Sequence, residues 1–404
     1  MRVLVLHSRY LSGTSSGENR VVEDEVELLR SAGHEVGLWA PSPDGAAGAS
    51  RLRLGARAVW SRSAVRRVAR LAAELRPDVV HVHNLYPMLS PAVLRTAAAP
   101  VVVTLHNYRL LCLPATFLRD DRTCEDCLGK LPLPGVVHRC YRGSAAGSAA
   151  LAASLGVHRR AGTFRHVASF LAVSEFVRDK HVEAGMDADR IRVKPNFVAA
   201  MPRREGAGGD FLYLGRLSSE KGLDRLVKLW HDIPARLIVV GDGPDRTRLE
   251  AAAPDTVEFR GAVPPDQVGA YLARARALVL PSICYEGAPR TVVEAYAAGV
   301  PVIASRNGAL PSVVADGATG LLVDPADGGG WGEAVGRLGD DAASVRLGQG
   351  AFAAWHSRYS PEQGLADLEA AYTAVMAKPG SRGRTFATTG WKEPEDGALD
   401  SVSQ

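Results

Sequence analysis

Short apolar runs alternate along this chain with longer stretches that carry the 3.6-residue period of amphipathic helices. Parallel strands buried on both faces read as near-continuous Val, Ile and Leu, so this alternation specifies parallel sheets covered by helices. In the first half the runs predict strands at Val3 to Leu6, Glu35 to Ala40, Asp78 to His83, Val101 to Leu105 and Phe170 to Ser174. Helices are expected between them, such as Glu18 to Ser31, with Gly33 ending that helix. The second half repeats the pattern at Phe211 to Leu217, Arg236 to Gly241, Thr256 to Arg260, Ala277 to Pro281, Pro301 to Ser305 and Gly320 to Val323. The fold class is α/β, with two Rossmann-like domains.

At 404 residues, 46% hydrophobic and 23% charged with five cysteines, the chain is neither disordered nor a disulfide scaffold. The expected division is a first domain over 1–198, with a Cys-rich insertion at about 108–164, and a linker over 199–210 that is exposed and aperiodic. A second domain follows over 211–357, then a helix over 358–377 and a flexible tail over 378–404. The opening MRVLVLHSRY is too short in its apolar run for a signal peptide, and no stretch reaches the ~20 apolar residues of a membrane span. The expected location is cytoplasmic.

The net charge of +4 hides an asymmetry: residues 1–200 hold 27 Lys and Arg against 18 acids, residues 201–404 hold 21 against 26. Part of the excess lies between Arg51 and Arg76, where eight Arg face one acid, Glu74. Trp60, Ala64, Val68, Leu71 and Leu75 fall on one helical stripe, and Arg62, Arg66 and Arg70 on another. Two readings stand: a solvated Arg-rich helix docked on a sheet, or a face for an anionic membrane or ligand. No nucleic-acid partner is expected.

Ligands of open α/β sheets bind at the carboxyl ends of strands, so the residues just after each strand carry the functional signal. Arg216 and Lys221 follow the strand FLYLG at the start of a helix, a placement that suits a diphosphate. Glu286 and Glu294 follow ALVLPS eight positions apart, one in the loop and one on the next helix. Carboxylates accept hydrogen bonds from sugar hydroxyls, so cations and acids together suggest a nucleotide-sugar cradle. Gly287 lets backbone amides approach closely, and the loop SRNGALPSVV offers Asn307 and Gly308 to the same ligand.

In this company GRLSSEKG, GDGP, EGAPRTVVEAYAAGVPVIAS and NGALPSVV resemble the donor domain of family 4 retaining glycosyltransferases of GT-B architecture. The resemblance extends to about residue 376, and the cysteine region is found in only part of that family. It implies that Arg216 and Lys221 bind the donor diphosphate, Glu294 the ribose and Glu286 the transferred sugar, with Ala288, Pro289 and Arg290 in the same donor-binding turn. His106, in VVVTLHN, matches the histidine beside the transferred sugar, and Gly17 is the candidate amide after the first strand. His81 and His83 alternate on one strand face, where packing is the stronger explanation. The implied donor is a nucleotide-diphosphate sugar and the acceptor a hydroxyl on a glycan, a lipid-linked or a small molecule. An enzyme with His106, Arg216, Lys221 and Glu286 as catalytic groups requires no cofactor for its chemistry. The last helix is expected to cross back onto the first domain.

A nicotinamide enzyme is disfavoured, because the first turn lacks G-x-G-x-x-G and no Walker motif occurs. Asp187 and Asp189 form an Asp-x-Asp pair, but in a helix-to-strand turn where Asp is ordinary. A nucleotide-sugar epimerase of the same architecture and a non-catalytic nucleotide-sugar binder remain as alternatives. Cys112, Cys124, Cys127 and Cys140, spaced C-x11-C-x2-C-x12-C, suit a structural zinc site or a set of reduced thiols, with His138 able to replace one ligand. Cys284 reads as a packed small side chain.

Overall fold

The computed structural model describes residues 1–10, 16–46, 51–96 and 99–377, with backbone only for 45, 46 and 51–53. The residues expected as a flexible tail, 378–404, and part of the first polar loop, 11–15, lie outside the described residues. The first domain holds β1 (Arg2–Leu6), β2 (Glu35–Trp39), β3 (Val79–Val82), β4 (Val101–Leu105), the small antiparallel pair β5 (Leu118–Arg119) and β6 (Arg122–Thr123), then β7 (Val167–Ala172) and β8 (Ile191–Val193). The second holds β9 (Phe211–Leu214), β10 (Leu237–Val240), β11 (Val257–Gly261), β12 (Leu278–Leu280), β13 (Val302–Ser305) and β14 (Gly320–Val323). Each domain has a six-stranded parallel sheet, in the orders β2-β1-β3-β4-β7-β8 and β11-β10-β9-β12-β13-β14. In both, chain order reverses beside the first strand of the sheet, which opens a crevice at the carboxyl ends.

The buried faces explain the order of elements. The helix Gly17–Ser31 begins where the Ser16 side chain accepts a hydrogen bond from Asn19 N, and it buries Val21, Val22, Glu25, Val26 and Leu29. Four of these are apolar, as a sheet-facing stripe requires; Glu25 is the exception. The helix Pro361–Met376 crosses back to the first sheet and places Leu368, Ala371, Tyr372 and Val375 against Val3, Val5, Val79, Val102 and Leu171. Leu368 is fully buried there, so Leu368→Ala would cost roughly 2–5 kcal/mol. The two chain crossings meet: Val198 N donates to Tyr359 O at 3.1 Å, and Trp355 Nε1 donates to Val198 O at 3.0 Å.

Three expectations are corrected. The basic stretch is two helices, Arg51–Val59 and Arg62–Leu75, because Ser61 caps the second through Ala64 N. Its buried stripe is Ala64, Val68 and Ala72, and Trp60 lies off it, stacked on His158 at 5.0 Å. The segment 199–210 is not uniformly exposed. Arg204 is buried and donates to the carbonyls of Ala207, Arg276 and Ser344, which pins the linker to the second domain. The run Phe170 to Ser174 also begins earlier, at Val167, since the buried strand continues under β4.

Candidate functional site in the interdomain cleft

Loops from both sheets converge where their carboxyl ends face each other. On the second domain Gly222 has φ +68° and would set a Cβ 2.1 Å from the Pro281 carbonyl oxygen, so only glycine lets the Lys221 loop lie on the end of β12. There Lys221 Nζ contacts Glu286 Oε1 at 2.7 Å, and Ser282 Oγ donates to the same oxygen at 2.6 Å. Burial opposes charge on Lys221, yet the Glu286 carboxylate more than offsets it and holds the ammonium well above its ordinary value. Burial likewise works to raise Glu286, and Lys221 and Ser282 pull it below the ordinary carboxylate value. Both groups are therefore charged at neutral pH. Arg216 is exposed at the end of β9 and makes no ion pair among the described residues.

Glu294 and Arg290 share a helix turn and pair at 2.7 Å, and Arg290 also contacts Asp24 of the first domain. Arg290 thus bridges the domains from within the turn expected to bind donor. Ala288 and Pro289 lead into that helix, which starts at Arg290. Asn307 donates to the carbonyls of Ile283 (3.0 Å) and Cys284 (3.3 Å), fixing the loop that carries Glu286. Gly308 packs against the backbone of Tyr285 and Glu286.

The first domain meets this loop directly. A Cβ on Gly287 would stand 2.6 Å from the His106 carbonyl oxygen, so the close approach requires a residue without one. Tyr108 donates through its hydroxyl to Glu286 O at 2.9 Å, and Ser174 to Gly287 O at 2.7 Å. His106, Glu286 and Lys221 are brought together in this way. Gly17 opens the first helix, whose Glu18 accepts from Tyr10 at 3.0 Å and from Asn107, so the helix start lies beside the end of β4. Burial raises the Glu18 carboxyl, with Asn107 and Tyr10 opposing it.

Behind His106 lies a buried network. His83 Nδ1 lies 2.9 Å from His106 Nε2, and Glu25 Oε2 lies 3.6 Å from His83 Nε2. Lys194 pairs with Glu25, Tyr372 meets His81 Nδ1 at 2.8 Å, and Thr104 meets His81 Nε2 at 2.7 Å. Burial holds His83 and His106 well below the ordinary imidazole value and His81 down to about 3, so all three are neutral. Two neutral rings at 2.9 Å need one donor and one acceptor. The carboxylate favours the proton on His83 Nε2, leaving Nδ1 as acceptor; His106 therefore donates through Nε2, and its Nδ1 keeps a lone pair. His83 is a buried support for His106 rather than a lining residue, and His81 is packed.

Glu25 and Lys194 went unrecognised in the sequence, as did Asp24, Tyr108, Ser174 and Ser282. A signal existed for Glu25, an acid on an otherwise apolar stripe. Asp187 accepts from Asp189 N at 3.0 Å as the cap of a single turn, in keeping with turn chemistry. Cys284 is buried beside the Lys221–Glu286 pair.

Residues 15–200 match the profile described as Glycosyltransferase Family 4, and residues 208–341 that described as Glycosyl transferases group 1. A GDP-mannose-dependent alpha-mannosyltransferase of Mycobacterium tuberculosis is 30% identical over 347 residues, spanning 80% of this chain and 84% of that one. The chain belongs to glycosyltransferase family 4. The 2-deoxystreptamine glucosyltransferase of Streptomyces kanamyceticus is 29% identical over 72% of this chain and 76% of its own. A match of 33% identity to a GDP-mannose-dependent alpha-(1-6)-phosphatidylinositol monomannoside mannosyltransferase of Mycolicibacterium smegmatis spans 37% of this chain and 44% of that protein. Among solved structures, sucrose-phosphate synthase from Thermosynechococcus elongatus superposes with TM-score 0.69 at 19% identity, over 93% of this chain and 100% of that one. Anabaena HepE in complex with UDP-glucose does so with TM-score 0.63 at 17% identity, over 93% and 100%. The family 4 fold of this chain is thus GT-B: two parallel-sheet α/β domains facing across a cleft. Among the described residues no helix is long and apolar enough to cross a membrane.

Proposed function

We propose that this family 4 member transfers a sugar, with retention of anomeric configuration, from a nucleotide-diphosphate sugar to a hydroxyl acceptor. A hexosyl donor suits the reading, because the relatives above are named for mannosyl and glucosyl transfer. The observation that carries it is the Lys221–Glu286 contact at 2.7 Å, set at the end of the second sheet and held against His106 through Gly287. A bound diphosphate competes for Lys221 alongside the free Arg216 guanidinium, and a sugar hydroxyl takes the place of Lys221 on Glu286. Glu294 serves the ribose, and the neutral His106 Nδ1 accepts a hydroxyl of the transferred sugar.

In the reaction the bond from the anomeric carbon to the phosphate oxygen breaks and a bond to the acceptor oxygen forms on the same face. The acceptor proton passes to the leaving phosphate oxygen. Arg216 and Lys221 stabilise the charge growing on that diphosphate, which prearranged cations can do without a divalent metal. Domain closure excludes water and suppresses hydrolysis of the donor.

Peripheral contact with an anionic membrane belongs to the same reading. Arg62, Arg66 and Arg70 are exposed, and Trp60, Leu131, Leu133, Val137 and Val157 are the large apolar side chains that stand out to solvent among the described residues. Flotation with phosphatidylglycerol vesicles tests it; equal binding to neutral vesicles removes the electrostatic part.

The transfer reading is tested by incubation with a panel of nucleotide hexoses, scoring slow donor hydrolysis by mass spectrometry and the anomer by NMR. Release of the free α-hexose with one nucleotide supports it. An isomerised donor, or binding without turnover under any acceptor, overturns it in favour of an epimerase or a binder.

A further inference from the structure

Between β4 and β7 the chain leaves the βα rhythm and builds a segment with little regular structure: the β5–β6 pair, a helix Leu133–Val137 and a helix Ala145–Arg160. Of the eight described non-glycine residues with positive φ, six lie here: Ala115, Phe117, Asp120, Asp121, Arg139 and Arg142. Such conformations cost roughly 1–2 kcal/mol each, so local preference alone does not hold the segment.

Cys112, Cys124, Cys127 and Cys140 are free thiols that line one cavity, with Pro114, Leu118, Pro134, Gly135 and the charged pair Arg119 and Asp126 completing its wall. Backbone hydrogen bonds fix the chain around the cysteines: Ala115 N donates to Cys112 O at 3.0 Å, Cys124 N to Phe117 O at 2.8 Å and Cys140 N to Gly135 O at 2.9 Å. Cysteine binds a metal as the thiolate, so a bound cation would displace the four thiol protons. The charges at the cavity pair with one another, Arg119 with Asp126 at 2.7 Å, and Lys180 nearby pairs with Glu125 at 2.7 Å.

Glu25, His81 and His83 bring ligand atoms within 4.8 Å of one another. Lys194 already holds Glu25, both nitrogens of His81 have partners, and His83 Nδ1 meets His106. Only Glu25 Oε2 and His83 Nε2 there lack a hydrogen-bond partner, two atoms where a closed site needs about four. The cysteine sulfurs stand wider apart than this, and an ion with bonds of about 2.3 Å to sulfur would draw them inward.

We propose that Cys112, Cys124, Cys127 and Cys140 bind one Zn²⁺ in a closed tetrahedral site that fixes this segment against the second domain. Four soft thiolates leave no open position, so the role is structural rather than catalytic. The segment bears on the second domain at defined points: on the Glu286 loop Tyr285 N donates to Thr116 O at 3.1 Å and the Phe117 and Tyr285 rings lie 5.6 Å apart, and from the helix after Lys221 Arg225 donates to Asp121 O at 3.1 Å. The metal thus sets the position of Thr116 and Phe117, which in turn brace the loop carrying Glu286.

The test uses the full chain purified without chelator. Elemental analysis is expected to find about one zinc per chain, released by a mercurial that modifies thiols. Replacement by Co²⁺ should give a thiolate-to-cobalt charge-transfer band, weakened but retained in Cys140→His. Cys124→Ser with Cys127→Ser should lose the metal, and Cys284→Ser should keep it. Should the serine variants fail to fold, the wild-type zinc content and the Cys140→His spectrum still decide. A chain without metal whose melting temperature ignores added zinc overturns the proposal. So does an iron-sulfide spectrum, or a disulfide among the four cysteines.

Discussion

Replacing Lys221 by Met removes the charge while keeping most of the side-chain volume, and Glu286 is left as a buried carboxylate without its cation. At 2.7 Å and an effective dielectric of 20 the direct attraction is about 6 kcal/mol before desolvation. Breaking a buried pair costs roughly 3–5 kcal/mol, and because the Lys221 side chain is 28% exposed the lower end, about 3 kcal/mol, applies. Urea unfolding at pH 7 reads this loss. Turnover of the nucleotide sugar should fall about 10²–10³-fold, the effect of removing one preorganised charge from the leaving group. Glu286 sits below its ordinary value in the wild type, so the pair's stabilisation is full above about pH 4.5 and fades as pH falls through the lower folded value. In the variant burial prevails, the carboxyl titrates higher, and the acid limb of the rate profile moves up. The double variant Lys221→Met with Glu286→Gln should recover most of the stability and none of the turnover. Unchanged unfolding and turnover within threefold of wild type in Lys221→Met would refute the assignment.

Glu25→Gln should shift the His106 ring toward a mixture of tautomers, read as changed ¹⁵N shifts of Nδ1 and Nε2, and Glu25→Asp should restore the wild-type pattern in part. Identical shifts in all three proteins would remove Glu25 from the network. His7, His81, His83, His106 and His181 are all held below the ordinary value by burial, so their contribution is complete above about pH 6.5 and is lost on acidification. His81, held to about 3, should add up to about 1.4 kcal/mol per pH unit to the fall in stability between pH 6 and 4, the others act in the same direction, and His181→Leu should flatten that slope. A stability flat from pH 7 to 4 would contradict this. Gly287→Ala forces its methyl onto the His106 carbonyl oxygen, and should cost about 1–3 kcal/mol and slow turnover severalfold more than Ala288→Gly. Wild-type kinetics in Gly287→Ala would show that the domains do not close through this contact.

The strands were legible because central parallel strands are apolar on both faces: VLVL in β1 and VVVTL in β4 admit little else. The cleft loops were legible because charged residues directly after such strands have a restricted location. Which charge meets which was not. Lys221 and Glu286 are 65 residues apart, and their pairing depends on how two strand ends register in one sheet. The contact of Lys194 with Glu25 joins residues 169 apart, and neither motif hints at the other. The break at Ser61 was hidden by a helical period that runs through it, although Ser61 is itself a capping residue.

The return of the last helix makes the first domain discontinuous, with Tyr372 wedged on His81 beneath its sheet, while residues 199–359 leave and re-enter at one place. The second lobe is therefore topologically an insert: cutting at those two points yields a contiguous fragment with its own core. The first lobe, severed at the same places, is complete only when the final helix is supplied as a second polypeptide or spliced back after Val198.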